Sequence, residues 1–150
     1  MEYVSMSPAQ TQQIAAMVYH RAKEKAREGI CIGLCGDLGV GKTVFAKGFL
    51  SAAGVDAEEV ISPTFVIMQE YKVRDGITIH HFDLYRLDSI EDLMSLGYDE
   101  YLTRCRSISL IEWADKFKDS LPEDTIWVSI KFIEQSKRKV TVTFPGSSIG

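Results

Sequence analysis

The sequence predicts a single-domain α/β fold in which a mixed parallel and antiparallel sheet is flanked by helices. First, residues 30–34 read as a buried strand, and a glycine-rich loop and a helix over residues 44–50 follow it. Second, the turn at residues 74–76 joins two apolar strands, which should therefore pair antiparallel. Third, a length of 150 residues suits one domain and is too short for two, so we expect one domain over residues 1–150 with its core at about 7–144.

The composition is that of an ordinary globular chain with an acidic balance. Hydrophobic residues make up 45%, charged residues 25%, and the formal net charge is −4. Proteins that grip RNA phosphates usually carry a basic surface, so any contact with nucleic acid should be indirect or confined to a local patch. No apolar run approaches the roughly 20 residues of a membrane-spanning helix, and residues 1–8 lack the regions of a signal peptide. We therefore expect a cytoplasmic location and no membrane contact.

The three cysteines indicate a reducing compartment rather than a disulfide framework, since their number is odd. Cys31 and Cys35 lie in or beside the predicted buried strand, where free thiols behave as small hydrophobic side chains. A zinc site that combines them with His80 or His81 is disfavoured, because no second cysteine pair has matching spacing.

The first helix is predicted to begin at Ser7, with Ser7 as N-cap, Pro8 at the first helical position and Gln10 completing a capping box. Apolar residues then repeat at helical spacing, and Gly29 should close the helix. The apolar positions are Ile14, Met17, Val18 and Ala22. Two interpretations of Thr11 stay open. In the first, polar residues around Thr11 contact the base of a bound nucleotide. In the second, Thr11 belongs to a solvated helix start, which is the commoner arrangement.

The glycine-rich loop fits G-x-x-x-x-G-K-[ST], the phosphate-binding P-loop. Its glycines allow the backbone to wrap a phosphate with N–H groups pointing inward, and the helix start adds a partial positive charge. Lys42 should reach the β- and γ-phosphates, and the Thr43 hydroxyl should bind Mg²⁺. ATP is favoured over GTP because no Asn-Lys-x-Asp motif is present. The predicted nucleotide-binding residues of the loop are Gly36, Asp37, Leu38, Gly39, Val40, Gly41, Lys42 and Thr43.

Beyond this loop, further strands and helices alternate, separated by turn residues. Strands are expected at 65–73, 77–82, 107–112, 125–134 and 138–144, and helices at 88–97 and 98–102. Residues 134–137 should form the last hairpin loop. In the strand at 125–134, Ile126, Val128, Ile130 and Phe132 are expected to share one apolar face.

Two carboxylates compete for the metal site, Asp83 and Glu112, each at the end of an apolar strand. For either acid the alternative is a residue that only caps a neighbouring turn. Glu112 is favoured as the Mg²⁺ ligand because its strand is the more continuously apolar one, expected in the middle of the sheet beside the P-loop strand. Asp83 would then orient a metal-bound water or the attacking water.

Three further residues have a possible role at the site. Thr64 is a candidate switch residue that senses the γ-phosphate, or simply a turn-forming residue after Pro63. Arg86 is either directed at phosphate or paired with a surface acid. Trp113 either stacks on a ligand or packs in the core, and the core is favoured since tryptophan is mostly buried.

Taken together, four motifs resemble the TsaE (YjeE) family over residues 7–144. They are the P-loop, Ser62-Pro63-Thr64-Phe65, His81-x-Asp83-Leu84-Tyr85-Arg86-Leu87 and Ile111-Glu112-Trp113. The resemblance implies a small bacterial ATPase that acts with the subunits TsaB and TsaD to make threonylcarbamoyladenosine in tRNA, beside the anticodon. Contact with the tRNA itself is expected to be indirect at most.

The resemblance also implies roles for individual residues. ATP is expected on the P-loop, Thr43 and Glu112 on Mg²⁺, and Asp83 in support of hydrolysis. Either Lys137 or Arg138 of the last hairpin should lie near the nucleotide. Hydrolysis is expected to be slow without partners, because no arginine finger is evident.

Two rival functions stay open. A small-molecule kinase would need an acceptor pocket and a basic lid, for which Arg104 and Arg106 form the one lid-like pair. A non-catalytic module would bind ATP only to change its affinity for a partner. Such a module should lose partner binding in Lys42→Ala but keep binding and function in Asp83→Ala.

Overall fold

The computed structural model describes residues 1–37, 39–60, 68–102 and 104–146. Strands and α-helices within these ranges occur as follows. The strands are β1 (Glu2–Ser5), β2 (Ile30–Cys35), β3 (Met68–Lys72), β4 (Thr78–Asp83), β5 (Ser107–Glu112), β6 (Ile126–Glu134) and β7 (Lys137–Thr143). The α-helices are α1 (Pro8–Lys23), α2 (Lys42–Ala52), α3 (Ile90–Ser95) and α4 (Tyr98–Leu102). The expected strand residues 65–67 lie outside the described ranges.

These strands form one sheet in the order β1-β7-β6-β2-β5-β4-β3. The four central strands β6, β2, β5 and β4 are parallel to one another, whereas β1, β7 and β3 pair antiparallel at the two sides. The prediction of a mixed sheet is therefore confirmed. So is the position of β5, which lies directly beside β2, the strand that leads into the P-loop.

Each face of the sheet is covered by a different pair of helices. On one face, α1 and α2 pack over alternate residues of the central strands, among them Ile32, Leu34 and Leu110. On the other, α3 and α4 cover a smaller cluster that includes Phe82 and Ile111. Side chains alternate between the two faces along each strand, so every second residue faces the α1–α2 layer. No helix in the described ranges has the length and apolar character required to cross a bilayer.

The N-terminal helix begins as predicted but differs in detail. Ser7 is the N-cap and its side chain accepts a hydrogen bond from the backbone N–H of Gln10 at 3.1 Å. In a capping box, the Gln10 side chain would accept a hydrogen bond from the N–H of the N-cap residue, Ser7. Here its Oε1 instead accepts from the N–H of the preceding residue, Met6, at 2.7 Å. The helix ends at Lys23, and a separate 3₁₀ turn precedes Gly29. The prediction that Gly29 closes this helix was therefore wrong.

Strand β1 was not predicted from the sequence. It has only four residues and forms an antiparallel pair with β7, far along the chain. A four-residue segment shows too little alternation to be recognised, and its stabilising partner is not local.

The last hairpin differs from the prediction at Phe132. The side chains of Ile126, Val128 and Ile130 are fully buried, but Phe132 is 61% exposed. A register irregularity between Phe132 and Glu134 interrupts the pairing with β7 at this point. The Arg138 guanidinium instead lies 4.9 Å from the Phe132 ring centroid.

Gly48 sets the close approach of α1 and α2, because a Cβ at this position would lie 2.6 Å from the Cα of Gln12. We expect Gly48→Ala to lower the free energy of unfolding by about 1–3 kcal/mol through overpacking. The gain in helix propensity, at most about 1 kcal/mol, offsets only part of that loss. Urea unfolding measures the difference. Ser51→Ala, at an exposed position of the same helix, serves as the control with little expected effect, and equal stabilities for both variants would contradict the prediction.

Candidate functional site

The P-loop begins at the carboxyl end of β2 and continues directly into α2. Gly36, Gly39 and Gly41 have φ values of 149°, 79° and 118°, a region that side chains disfavour. A Cβ on Gly36 would lie 2.6 Å from the carbonyl oxygen of Ile130, so the loop packs tightly on β6 there. A Cβ on Gly39 or Gly41 would meet no atom of the described residues within 4 Å. As far as those residues are concerned, the loop is thus open on the side where a phosphate is expected. Leu38 lies outside the described residues.

Lys42, the first residue of α2, is 5% exposed. Its ammonium donates to the carbonyl oxygens of Gly36 and of Asp37, the latter at 2.8 Å, and lies 3.8 Å from the Trp113 ring centroid. Burial lowers the pKa of Lys42, although Glu112 and Asp115 oppose the shift. The charged form is thus under-solvated, and a bound phosphate would favour it.

A pocket of about 340 Å³ opens beside this lysine and collects residues from distant parts of the sequence. The parallel pairing of β4 and β5 places Asp83 directly opposite Glu112, at the ends of both strands nearest the loop. The pocket is lined by Gly39, Gly41, Lys42, Thr43, Val44, Asp83, Tyr85, Glu112 and Trp113. The structure therefore brings together the predicted Lys42, Thr43, Asp83 and Glu112.

The two carboxylates of the pocket have different environments. Glu112 is 5% exposed, and its Oε2 lies 2.7 Å from the Nε2 atom of His81. Asp83 is half-buried and its Oδ1 accepts from the Tyr85 N–H at 2.9 Å. Burial raises the pKa of Asp83, the Tyr85 hydrogen bond opposes this, and the nearby Glu112 charge adds to the rise. Asp83 therefore both caps a turn, which was one of its two expected roles, and lines the pocket.

The residues present suit a magnesium ion that arrives with a nucleotide. Within the described ranges, no group of three or more His, Cys, Asp or Glu side chains could hold a metal. Thr43 and Glu112 would supply one hydroxyl and one carboxylate, next to the open glycines where phosphates fit. Mg²⁺ commonly binds through one or two carboxylates together with substrate phosphates and water. The donor set thus fits Mg²⁺ bound to a nucleotide.

Two of the three cysteines, Cys31 and Cys35, behave as packing residues, whereas Cys105 is exposed. Cys31 is buried and Cys35 is half-buried, and both are free thiols. Burial raises the pKa of Cys31 to about 12 and that of Cys35 to about 11. Both side chains are therefore protonated near neutral pH, a form that does not bind metal.

A second pocket, of about 290 Å³, lies on the other side of the P-loop. Thr11 lines it and is only 4% exposed, with its Oγ1 2.6 Å from Ser5 Oγ. The expectation of a solvated helix start was thus wrong for Thr11. Arg138 also lines this pocket, and its Nε donates to the carbonyl oxygen of Val40 at 3.0 Å. The remaining lining residues are Ser5, Ser7, Pro8, Gly39, Val40, Gly41, Val44 and Ser136.

The remaining predicted site residues lie at different positions relative to the two pockets. Of the two hairpin candidates, Arg138 contacts the loop, whereas Lys137 forms an ion pair with Glu134 at 2.9 Å. Trp113 is half-buried, packs against the α3–α4 core as favoured, and also lines the first pocket. Arg86 is exposed. Thr64 lies outside the described residues.

Sequence reasoning missed several residues at the site. His81 shares a strand face with Asp83, and this spacing of two residues was a signal that could have identified it. Tyr85 lies two residues beyond Asp83 and its ring centroid is 5.0 Å from that of Trp113. Ser5 and Ser136 carried no local signal, since β1 and the last hairpin meet the loop only in the folded chain.

Comparisons with known proteins identify the family of this chain. The family model described as threonylcarbamoyl adenosine biosynthesis protein TsaE matches residues 5–140. The tRNA threonylcarbamoyladenosine biosynthesis protein TsaE of Bacillus subtilis is 36% identical over 149 residues, covering 98% of this chain and 87% of that protein. The TsaE protein of Rickettsia bellii is 41% identical over 110 residues, covering 73% of this chain and 74% of its own length.

Among solved structures, the crystal structure of YdiB from Bacillus subtilis superposes with a TM-score of 0.75 and 31% sequence identity. The match covers 97% of this chain and 86% of that one. The fold is accordingly that of P-loop nucleoside triphosphatases, as the glycine loop, β2 and α2 predicted. On these matches, the chain belongs to the TsaE family of tRNA threonylcarbamoyladenosine biosynthesis proteins.

Proposed function

We propose that this chain is a single P-loop domain that binds Mg·ATP and hydrolyses it slowly, in the cytoplasm, as part of threonylcarbamoylation of tRNA adenosine beside the anticodon. Its partners would be subunits of the TsaB and TsaD type, and contact with tRNA would be indirect. The observation that carries the proposal is that Lys42, Thr43, Asp83 and Glu112 line one pocket, beside open glycines. Membership of the TsaE family supports the biological role.

We assign a distinct role to each of four pocket residues, Lys42, Thr43, Glu112 and Asp83. The loop N–H groups and the Lys42 ammonium bind the phosphates. Thr43 and Glu112 would hold Mg²⁺, which when bound neutralises developing charge on the phosphates. Asp83 orients the attacking water and accepts its proton. The raised pKa of this carboxyl makes it a stronger base than an ordinary aspartate.

The second pocket suits the nucleoside part of ATP. It shares Gly39, Gly41 and Val44 with the first pocket, so the two pockets adjoin at the loop. Thr11 and Arg138 offer polar groups there, beside the apolar surface of Val40 and Val44. A cavity that is mostly apolar with a few fixed polar groups is typical of base-binding sites.

Slow hydrolysis follows from the charges that line the first pocket. Lys42 is the one cationic side chain among its described lining residues, and no arginine lines it. P-loop hydrolysis without an arginine finger is slower by about 10³–10⁵. We infer that partner docking completes the site and that ATP turnover resets the transferase complex after each round.

A steady-state phosphate-release assay tests this proposal. We expect TsaB and TsaD together to raise the rate by at least about 10-fold, because they supply positive charge that is absent from the described lining of the first pocket. The control contains the partners with Asp83→Asn in place of the wild-type chain and measures contaminating ATPase. Equal rates with and without partners would refute partner activation. Labelled phosphate that appears on an added small molecule instead of in water would favour the kinase alternative.

A further inference from the structure

His81 is a buried histidine with a single polar contact in the described part of the chain. It is 2% exposed, lies on β4 and pairs in register with Leu110 of β5. Its Nε2 atom is 2.7 Å from Glu112 Oε2, and its Nδ1 atom is buried without a hydrogen-bond partner among the described residues. The residue therefore reaches the site from two residue pairs behind Asp83 and Glu112, on the same face of the sheet.

A carboxylate that binds a metal ion is ionised and only accepts hydrogen bonds. In a site where Glu112 binds a cation, the Nε2 atom of His81 therefore carries the hydrogen and donates to Oε2 of Glu112. Oε1, the other carboxylate oxygen, takes no part in this contact and can bind a cation in the pocket that Glu112 shares with Thr43.

Packing alone does not explain a histidine at this position. A buried ring nitrogen without a partner costs stability relative to an apolar side chain of similar size. The neighbouring residues on the same face of the sheet, Ile79 and Ile108, are aliphatic and fully buried. The histidine differs from them in its bond to Glu112.

We propose that His81 is a positioning residue, which holds the Glu112 carboxylate so that Oε1 is presented to the divalent cation of a bound nucleotide. This inference rests on the proposed function, because it assumes that Glu112 binds Mg²⁺. Hydrogen-bond partners of metal-binding carboxylates commonly contribute 10- to 100-fold to metal affinity or activity. His81 contacts neither the nucleotide nor the reacting atoms in this proposal.

The test compares the affinity for a non-hydrolysable ATP analogue with and without Mg²⁺, and the ratio of the two dissociation constants is the magnesium gain. His81→Leu should reduce this gain by about 10- to 100-fold, with the magnesium-free affinity unchanged. His81→Gln should recover part of the gain, because its amide nitrogen can reach the place of the imidazole Nε2. His80→Leu is the matched control, since His80 is also buried on β4 but faces the opposite side, near Tyr101.

Two results would overturn this inference and leave the proposed function intact. The first is a wild-type magnesium gain in His81→Leu. The second is an equal loss of analogue affinity with and without Mg²⁺, which is the signature of a merely structural role. If wild-type protein binds the analogue equally with and without Mg²⁺, the magnesium part of the proposed function fails, and the inference fails with it.

A second measurement applies to the unmodified protein in case His81→Leu does not fold. With ¹⁵N-labelled histidine, addition of Mg²⁺ to the analogue-bound protein should shift the Nε2 resonance of His81 more than that of His80. Equal or absent shifts in a protein that shows a magnesium gain would overturn the inference.

Discussion

Lys42→Met is expected to weaken ATP binding by about 100-fold or more, because charge-assisted bonds to phosphate are among the strongest in a binding site. Methionine keeps an unbranched apolar side chain beside Trp113 and removes only the ammonium. In the native chain this ammonium is buried and its pKa is lowered, so its charge is poorly solvated until an anion arrives. Isothermal titration with ATP and Mg²⁺ measures the loss.

Lys47→Met is the matched control for this experiment. Lys47 lies on the same helix but is exposed, and it does not line either pocket at the loop. We expect its affinity for ATP to equal that of the wild type. The Lys42 ammonium also bonds to two loop carbonyls, so the thermal stability of both variants is measured alongside. Undiminished affinity in a folded Lys42→Met protein would remove the basis of the proposed function.

Asp83→Asn should leave ATP affinity nearly unchanged and lower the partner-stimulated hydrolysis rate by about 10²–10⁴, the usual contribution of a positioned general base. Asparagine keeps an oxygen that can accept the hydrogen bond from the Tyr85 N–H, so the turn is preserved. Single-turnover phosphate release measures the rate. Asp88→Asn is the control, since Asp88 is exposed and outside the pocket.

The pH dependence of the wild-type rate gives a second readout. Asp83 acts as a base only when ionised, so the rate should rise with pH through the pKa of this group. Because burial raises that pKa, the acidic limb should lie above the ordinary aspartate value of 3.8. An Asp83→Asn protein that has lost hydrolysis but fully supports tRNA modification would favour the non-catalytic ATP-sensing module instead. Full hydrolysis in this variant would contradict the proposed role of Asp83.

Local patterns predicted the elements that carry the site. The P-loop motif with its flanking strand and helix predicted β2 and α2, and an apolar run that ends in an acid predicted β5. These segments are strongly periodic or carry fixed glycine positions, so their structure depends little on distant contacts. The expectation that Phe132 shares the buried face failed because the end of β6, from Lys131 to Glu134, is exposed. The solvated interpretation of Thr11 failed because its side chain packs against Ser5 of the unpredicted β1.

By itself, the sequence determined that this chain has a P-loop between a strand and a helix, two strand-end acids and the motif set of the TsaE family. The position of β5 beside β2 was expected from the sequence, but only the tertiary structure decided that the parallel register of β4 and β5 places Asp83 opposite Glu112. The same pairing brings the His81 imidazole to Glu112 and folds Arg138 of the last hairpin onto the loop. The physical reason is that a glycine loop or a strand end is encoded by adjacent residues, whereas the meeting of side chains from separate strands depends on sheet order and register, which the whole chain sets together.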